Sequence, residues 1–353
     1  MQPEYGSDFH FFNGFGNADG TIEKIYPDCG LYFSGRSAFL KILEQGIMKH
    51  NWKTVYLPAY YCHEVANFIS ELPISIRYYD DGPYNNTKTD LCSIDKRGNV
   101  YLKVNYFGFT AAPDYIPSQA FLIEDHTHDL LSDWARTSNA HYCFASLRKS
   151  LPVPIGGAIW SPKGIDIPPN STESEKGNTV AYMKLCAMLM KKVYLAGGEI
   201  KKQEYRSLFI ESEQLIGNAR INSILPSFVT SLIQRTSLIE IRNKKRDNYK
   251  YLLDCLEEKG RLKMANLSEG KCPFGMVFYF NKQNERDHFK KYLIDKNIYP
   301  AVLWPGQFES KAKKFSNRSL VMHIDLRYGF TDMMYLAEVI KSYNYENENC
   351  ISI

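Results

Sequence analysis

Nothing in the sequence approaches the run of about 18 apolar residues that a membrane helix needs. The opening stretch, MQPEYGSDFHFFNGFGNADG, has no basic segment followed by an apolar one, so no leader peptide is expected and the protein is expected to be cytoplasmic, with no membrane partner. Charge of one sign is equally scarce: 43 Lys and Arg stand against 39 Asp and Glu, for a net charge of +4. No basic run is dense enough to track a phosphate backbone, and nucleic acid is therefore not an expected partner. The eight cysteines are scattered, and none lies in a CxxC pair with another. That pattern argues for reduced thiols, and against a disulfide scaffold or a structural zinc site. Internal repeats and low-complexity tracts are also lacking.

What is there is an ordinary globular composition, 44% apolar and 23% charged, with aromatics raised to 14% by 25 Tyr and 20 Phe. The 353 residues leave room for about two domains. From Gly35 to about Trp160, helical patterns alternate with short runs rich in Val, Ile and Tyr, which is how βαβ units read and which implies a parallel sheet. Strands are expected at Thr54–Leu57, Ile74–Tyr79, Val100–Phe107, Ala120–Glu124, His141–Leu147 and Ala158–Trp160, with a helix at Glu64–Leu72. The polar, Pro- and Ser-containing segment Lys163–Gly177 reads as a loop that could cover a site. Beyond it, long helices are expected at Val180–Ala196, Glu204–Leu215 and Ile224–Glu258, the last interrupted near Asn243–Asp247. A smaller α+β unit follows, with strands at Gly275–Tyr279 and Leu320–Ile324 and helices at Glu285–Asn297 and Asp332–Tyr343.

Three segments could carry chemistry. In Ser34–Leu43 (SGRSAFLKIL), Gly35, Arg36 and Ser37 open an amphipathic helix whose free N–H groups could hold an anion, although a Ser before a helix is more often only its N-cap. In Ala120–Leu130 (AFLIEDHTHDL), an apolar run ends in Glu124, Asp125, His126 and His128, at the carboxyl end of a parallel strand where open α/β sheets bind ligands. The same groups could ligate a metal, but no third ligand stands at a recognisable spacing, and no metal is expected. In His141–Trp160 (HYCFASLRKSLPVPIGGAIW), a strand delivers Ser146 and Lys149 into a Pro-rich turn before Gly156-Gly157.

Taken in this order, the segments resemble the DegT/DnrJ/StrS family of pyridoxal-phosphate-dependent sugar aminotransferases, enzymes of fold type I. The resemblance rests on Gly35-Arg36-Ser37-Ala38, on Leu57-Pro58-Ala59-Tyr60-Tyr61, and on Asn105-Tyr106-Phe107-Gly108 running on to Ala112-Pro113-Asp114. It also rests on Ile123-Glu124-Asp125-His126-Thr127-His128, and on Lys149 followed at the family's spacing by Gly156-Gly157. Further on, Gly217-Asn218-Ala219-Arg220-Ile221-Asn222 and the helix Gln234–Arg246 look like family segments. Departures are Phe144 and Asn105, where the family has Ser and His, and an interval of 24 residues from Asp125 to Lys149, short for the family.

The resemblance implies a large, mostly parallel sheet domain sandwiched by helices, spanning 1–230, and a smaller C-terminal α+β domain, 231–353. It implies that Lys149 carries pyridoxal 5'-phosphate as a Schiff base and then moves the substrate proton. Asp125 would keep the pyridine nitrogen protonated. His128 would sit near the phenolic oxygen, and Tyr61 or Cys62 falls where the family places an aromatic residue that stacks on the ring, Tyr61 being the expected one. Gly35, Arg36, Ser37 and Ser146 would bind the phosphate, together with Asn218 from the second subunit of a homodimer. The activity implied is transfer of an amino group, with glutamate the expected donor, to a keto sugar expected to be nucleotide-linked. Relatives in which His replaces the lysine are deoxysugar-forming, and the chain departs from them. The alternatives are another reaction of the same cofactor (dehydration, epimerisation or transamination of a non-sugar) and a non-catalytic protein retaining the fold. Substrate-reading groups are expected in Lys163–Gly177 and Trp304–Phe308.

Overall fold

The computed structural model describes residues 4–12, 20–84, 91–169, 174–218, 223–257 and 267–343, the side chains of 218 and 257 excepted. In chain order the elements are β1 (Tyr5–Gly6), α1 (Ile22–Ile25), β2 (Gly30–Tyr32), α2 (Gly35–His50), β3 (Thr54–Pro58), α3 (His63–Ile69), β4 (Ser75–Tyr79), β5 (Asn99–Val104), β6 (Phe121–Asp125), α4 (Asp133–Thr137), β7 (Tyr142–Ser146) and β8 (Gly157–Trp160). There follow α5 (Glu175–Leu195), α6 (Lys202–Asn218), α7 (Ser227–Gln234), α8 (Leu238–Glu257), β9 (Met276–Tyr279), α9 (Gln283–Asp295), β10 (Ile298–Tyr299), α10 (Ser310–Arg318), β11 (Ser319–Met322) and α11 (Phe330–Ser342).

Seven strands form one sheet in the order β2-β8-β7-β6-β5-β3-β4. Strands β4, β3, β5, β6 and β7 pair in parallel, and β8 runs antiparallel to both β7 and β2. Both faces of such a sheet are covered, so its strands read as nearly continuous apolar runs. Alternate residues of β7 feed opposite cores, because side chains alternate along a strand. Cys143 and Ala145 join the cluster with Leu122 and Trp160, whereas Tyr142 and Phe144 join the one with Phe39 and Leu102. A separate apolar cluster joins antiparallel β9 and β11 to α8, α9 and α11, with Tyr5 of β1 inside it.

The expected strands are present within a few residues, and three expectations need correction. The strand from Val100 stops at Val104, because Phe107 (φ 55°) and Gly108 (φ 78°) turn the chain out of the sheet. The long helix does not break at Asn243–Asp247: α8 runs through that polar stretch because Asn248 is buried and donates to the carbonyls of Ile324, Asp325 and Tyr328. The break comes at Arg235–Ser237, where Thr236 Oγ1 returns to the Leu232 carbonyl and Ser237 Oγ caps Glu240. The loop from Lys163 ends earlier than expected, since Ser174 caps α5 by accepting the Gly177 N–H.

The N-terminal segment ties these parts together. Strand β1 pairs with β10, Gly6 N–H donates to Tyr328 Oη, and Phe11 N–H donates to the Met188 carbonyl of α5. Glu4 pairs with Lys202 of α6 at 2.7 Å. Arg327 forks onto both oxygens of Asp325, at 2.8 and 2.7 Å, and its remaining nitrogen donates to the carbonyls of Gly6, Ser7 and Asp8. No described helix is long and apolar enough to cross a membrane.

Candidate active site

Parallel pairing sets Asp125, the last residue of β6, beside Phe144 of β7, so the carboxyl ends of both strands open to one side of the sheet. After β7 the chain makes a 3-10 turn, Leu147–Lys149, pinned by the Leu147 N–H to the Gly156 carbonyl at 2.9 Å. That turn sets Lys149 against a cavity of about 560 Å³ whose lining includes Gly35, Arg36, Tyr61, Asp125, His128 and Ser146. Thr127, Arg148, Glu213, Trp304 and the N-terminal Asp8 also reach it. The two sequence segments and the lysine therefore converge, joined by side chains from remote parts of the chain.

One end of the cavity is the N-terminus of α2. Ser34 is its N-cap, and its hydroxyl accepts the Ser37 N–H at 3.1 Å. The Ser37 N–H is thus engaged by the cap, while the first turn of a helix leaves the N–H groups of Gly35 and Arg36 without intrahelical partners. Gly35 has to be glycine, because a Cβ there would lie 2.7 Å from the Ser146 Cβ. Gly157 has to be glycine for the same kind of reason: a Cβ there would lie 2.3 Å from the Ser34 carbonyl oxygen. The Gly-Gly pair after the lysine thus lets β8 press against the helix that opens the site. Arg36 is held by an ion pair with Glu64 of α3. Ser146 donates its N–H to Thr127 Oγ1 at 3.0 Å.

Asp125 is buried, and burial pushes its carboxyl pKa upward against the opposing pull of its hydrogen bonds. Its Oδ1 accepts the Thr127 N–H at 2.9 Å and its Oδ2 accepts the Tyr61 hydroxyl at 3.0 Å. The structure therefore gives Tyr61 a hydrogen-bonding task that its sequence position did not disclose. Burial and the neighbouring carboxylate push the Tyr61 phenol well above its usual range, so it stays a donor. Cys62 follows it on the cavity wall.

His128 lies among aromatic rings, stacked 5.3 Å from Phe107, 4.5 Å from Phe274 and 5.1 Å from Trp304. Its Nδ1 accepts the Phe107 N–H at 3.3 Å, which leaves Nε2 as the protonated nitrogen of the neutral ring. Burial, with Lys149 and Lys245 behind it, pushes the imidazole down to about 3. Lys149 is reached by solvent through the cavity. Its ammonium pKa is lowered, first by the adjacent Arg148 and then by burial, while Glu213, Asp8 and Cys62 act in the opposite sense. A lowered pKa raises the fraction of free amine, which is the nucleophilic form. Asn218 ends α6; its side chain and residues 219–222 lie outside the described residues.

Sequence reasoning overlooked Asp8, Thr127, Arg148 and Glu213. Arg148 alone had a local signal, since a second cation beside a lysine in a turn is electrostatically costly unless something receives it. On the other face of the sheet, Glu124, His126 and Cys143 come within 4.8 Å of one another. Cys143 is the third metal-type ligand that was invisible in sequence. Here the group is bonded internally, with His126 Nε2 2.9 Å from Glu124 Oε2 and Ser138 Oγ donating to the same oxygen at 2.7 Å.

No family model matches the chain, and no curated protein matches it. Solved structures do. A DegT DnrJ EryC1 StrS aminotransferase from Brucella abortus superposes with a TM-score of 0.60 at 15% identity, over 90% of this chain and 86% of that one. The GDP-4-keto-6-deoxy-D-mannose-3-dehydratase of E. coli, with bound hydrated PLP, gives 0.62 at 14% identity, over 96% and 100%. A sugar aminotransferase from Micromonospora echinospora gives 0.56 at 13%, over 90% and 88%. The likeness establishes the fold. The chain has the architecture of these fold type I enzymes over nearly its whole length.

Proposed function

We propose that the chain is a pyridoxal-phosphate-dependent aminotransferase that moves an amino group from an amino acid, glutamate first among them, to a keto sugar, and that it works as a homodimer. The observation that carries this reading is the convergence of a lysine with a lowered pKa, a buried carboxylate and a helix N-terminus in one cavity. The donor set suits the cofactor. An amine meets its aldehyde, a buried anion its ring nitrogen, and first-turn N–H groups its phosphate. Both oxygens of Asp125 already accept a bond, but each carboxylate oxygen retains a further lone pair.

When bound, pyridoxal phosphate supplies an aldehyde for covalent attachment and a ring that withdraws electrons from the substrate Cα. Lys149 Nζ would hold the aldehyde carbon and could carry a proton to and from the substrate Cα. Asp125, oriented by Tyr61 and Thr127, would hold a proton on the ring nitrogen. The N–H groups of Gly35 and Arg36 and the Ser146 hydroxyl would receive the phosphate, with Asn218 of a second subunit completing the cradle. His128 would offer Nε2–H as a neutral donor to the phenolic oxygen. Trp304 and Phe274 would shield the ring from water. The similarity to a dehydratase favours a second reading, elimination on a keto sugar by the same lysine. The sugar product separates the two, because transamination leaves an amine on it and elimination removes a hydroxyl.

Absorption of the protein with added pyridoxal phosphate, before and after borohydride, tests the assignment. A yellow band that reduction fixes onto the Lys149 peptide is expected, and Lys149→Ala should fold normally, lose the adduct and lose turnover. A yellow, active Lys149→Ala protein would overturn the reading.

A further inference from the structure

Lys149 borders two cavities. The second, about 230 Å³, lies between the N-terminal segment, α5 and Arg327, and it shares Asp8, Arg148, Lys149, Phe274 and Leu303 with the first. It does not include the helix end at Gly35 and Arg36, nor Ser146. We propose, on the basis of the aminotransferase reading, that this second cavity receives a carboxylate of an acidic amino donor, with the Arg148 guanidinium and the Lys184 ammonium as its cationic partners.

The two cations share one counter-ion. Glu213 Oε1 stands 2.9 Å from Arg148 Nη1 and also pairs with Lys184 Nζ. Both basic side chains are buried, at 10% and 5% exposure. Arg148 Nε is a buried donor with no hydrogen-bond partner among the described residues. Asp8 is the cavity's other carboxylate and acts on Lys149 and Lys184, so against the three cations Arg148, Lys149 and Lys184 the site is one negative charge and at least one acceptor short, and an oxyanion supplies both. The crowding registers in the protein itself. Glu213 is held down at about 2 by the flanking cations, and Lys184 is pushed down to about 8 by burial and by Arg148.

Other cations in the cavity are not available. The Arg327 guanidinium is consumed by Asp325 and by the carbonyls of Gly6, Ser7 and Asp8. His323 is pushed down to about 4, chiefly by burial, and is neutral. The cofactor phosphate has its own cradle at the α2 end of the first cavity, across Lys149. Size adds a restriction, because about 230 Å³ accepts the carboxylate arm of an amino acid but not a nucleotide. The apolar walls, Met188, Phe209, Phe274 and Leu303, strengthen a charge-assisted bond formed there.

The test follows the conversion of cofactor-loaded protein by L-glutamate and by its dimethyl ester. Wild type should react with glutamate at far lower concentration than with the ester, and glutarate, which has no amine, should compete. Arg148→Gln should raise the half-saturating glutamate concentration about ten- to a hundredfold, the size of a lost charge-assisted bond. Borohydride labelling of Lys149 should be unchanged, and Arg148→Lys should recover part of the loss. Unchanged half-saturation in Arg148→Gln overturns the inference and leaves the proposed function standing. So does a loss of cofactor loading without a loss of donor affinity, which would assign Arg148 to the cofactor phosphate. Should Arg148→Gln not fold, the wild-type comparison decides, and absence of glutarate competition overturns the inference. A wild-type protein that loads cofactor but reacts with no amino acid overturns both readings.

Discussion

Replacing Gly157 by alanine probes how the proposed cofactor cradle is built. A Cβ there would stand 2.3 Å from the Ser34 carbonyl oxygen, 2.4 Å from the Ser34 carbonyl carbon and 2.8 Å from the Gly35 nitrogen. Ordinary contact begins at 3.4 Å, so the opening of α2 must retreat by about 1 Å. All three atoms are backbone and cannot rotate aside. Overpacking of this kind costs about 1–3 kcal/mol, and the upper half of that range is expected because no flexible side chain can absorb the insertion. The same retreat carries the N–H groups of Gly35 and Arg36 away from anything held over Lys149. A bond of ~2.9 Å lengthened by about 1 Å is no longer a hydrogen bond, so affinity for the phosphate-bearing cofactor should fall at least tenfold. Urea unfolding reads the first effect. Titration with pyridoxal phosphate, and in parallel with pyridoxal lacking the phosphate, reads the second. Loss of affinity for the phosphorylated form alone is the expected result. A variant within about 0.5 kcal/mol of wild type, with unchanged preference for the phosphorylated form, would refute the proposed cradle.

Tyr61→Phe removes one of the hydrogen bonds on the buried Asp125 carboxylate and should cost about 1–3 kcal/mol. The Asp125 pKa then rises further, so the loss should be larger at about pH 8 than at about pH 5 in urea unfolding; an equal loss at both would mean that Asp125 is not the partner that matters. Asp129, raised to about 7 by burial, keeps its proton in the folded chain after the unfolded chain has lost it near pH ~3.9. Its contribution is fully present below that pH and lost as pH climbs to about 7, at up to ~1.4 kcal/mol per unit, and the pH dependence of unfolding in Asp129→Asn should lack this slope. Arg327→Met strands the buried Asp325 and releases the carbonyls of Gly6, Ser7 and Asp8. A loss of about 3–5 kcal/mol is expected, with new proteolytic cleavage within residues 4–12, and resistance to cleavage would show that Arg327 does not hold the N-terminal segment.

Local pattern was enough to expose the sheet and to set Asp125 and Lys149 at strand ends, and the family resemblance supplied the roles proposed for them. Apolar runs ending in Asp125 and in Ser146–Lys149 are strand ends whatever else the chain does, and parallel strands open their carboxyl ends to a common side. Gly156-Gly157 was legible through the family's spacing after the lysine, and the structure supplies the reason at Gly157, where the approach of β8 to Ser34 leaves no room for a Cβ. Elements whose stability is tertiary were not legible. The three-residue β2 is held by its pairing with β8, and α10 buries only Ala312, Phe315 and Ser316, too narrow a stripe to stand out. The polar stretch in α8 looked like a break because the partners of Asn248 lie more than 70 residues away. The site divides in the same way. Strand position together with the family resemblance marked Asp125 and Lys149 from the sequence. Only folding set the Tyr61 hydroxyl on Asp125, brought Asp8 from the N-terminus to the lysine and gave Arg148 and Lys184 a single shared carboxylate, because contacts between distant segments are chosen by packing and charge balance and leave no periodicity behind.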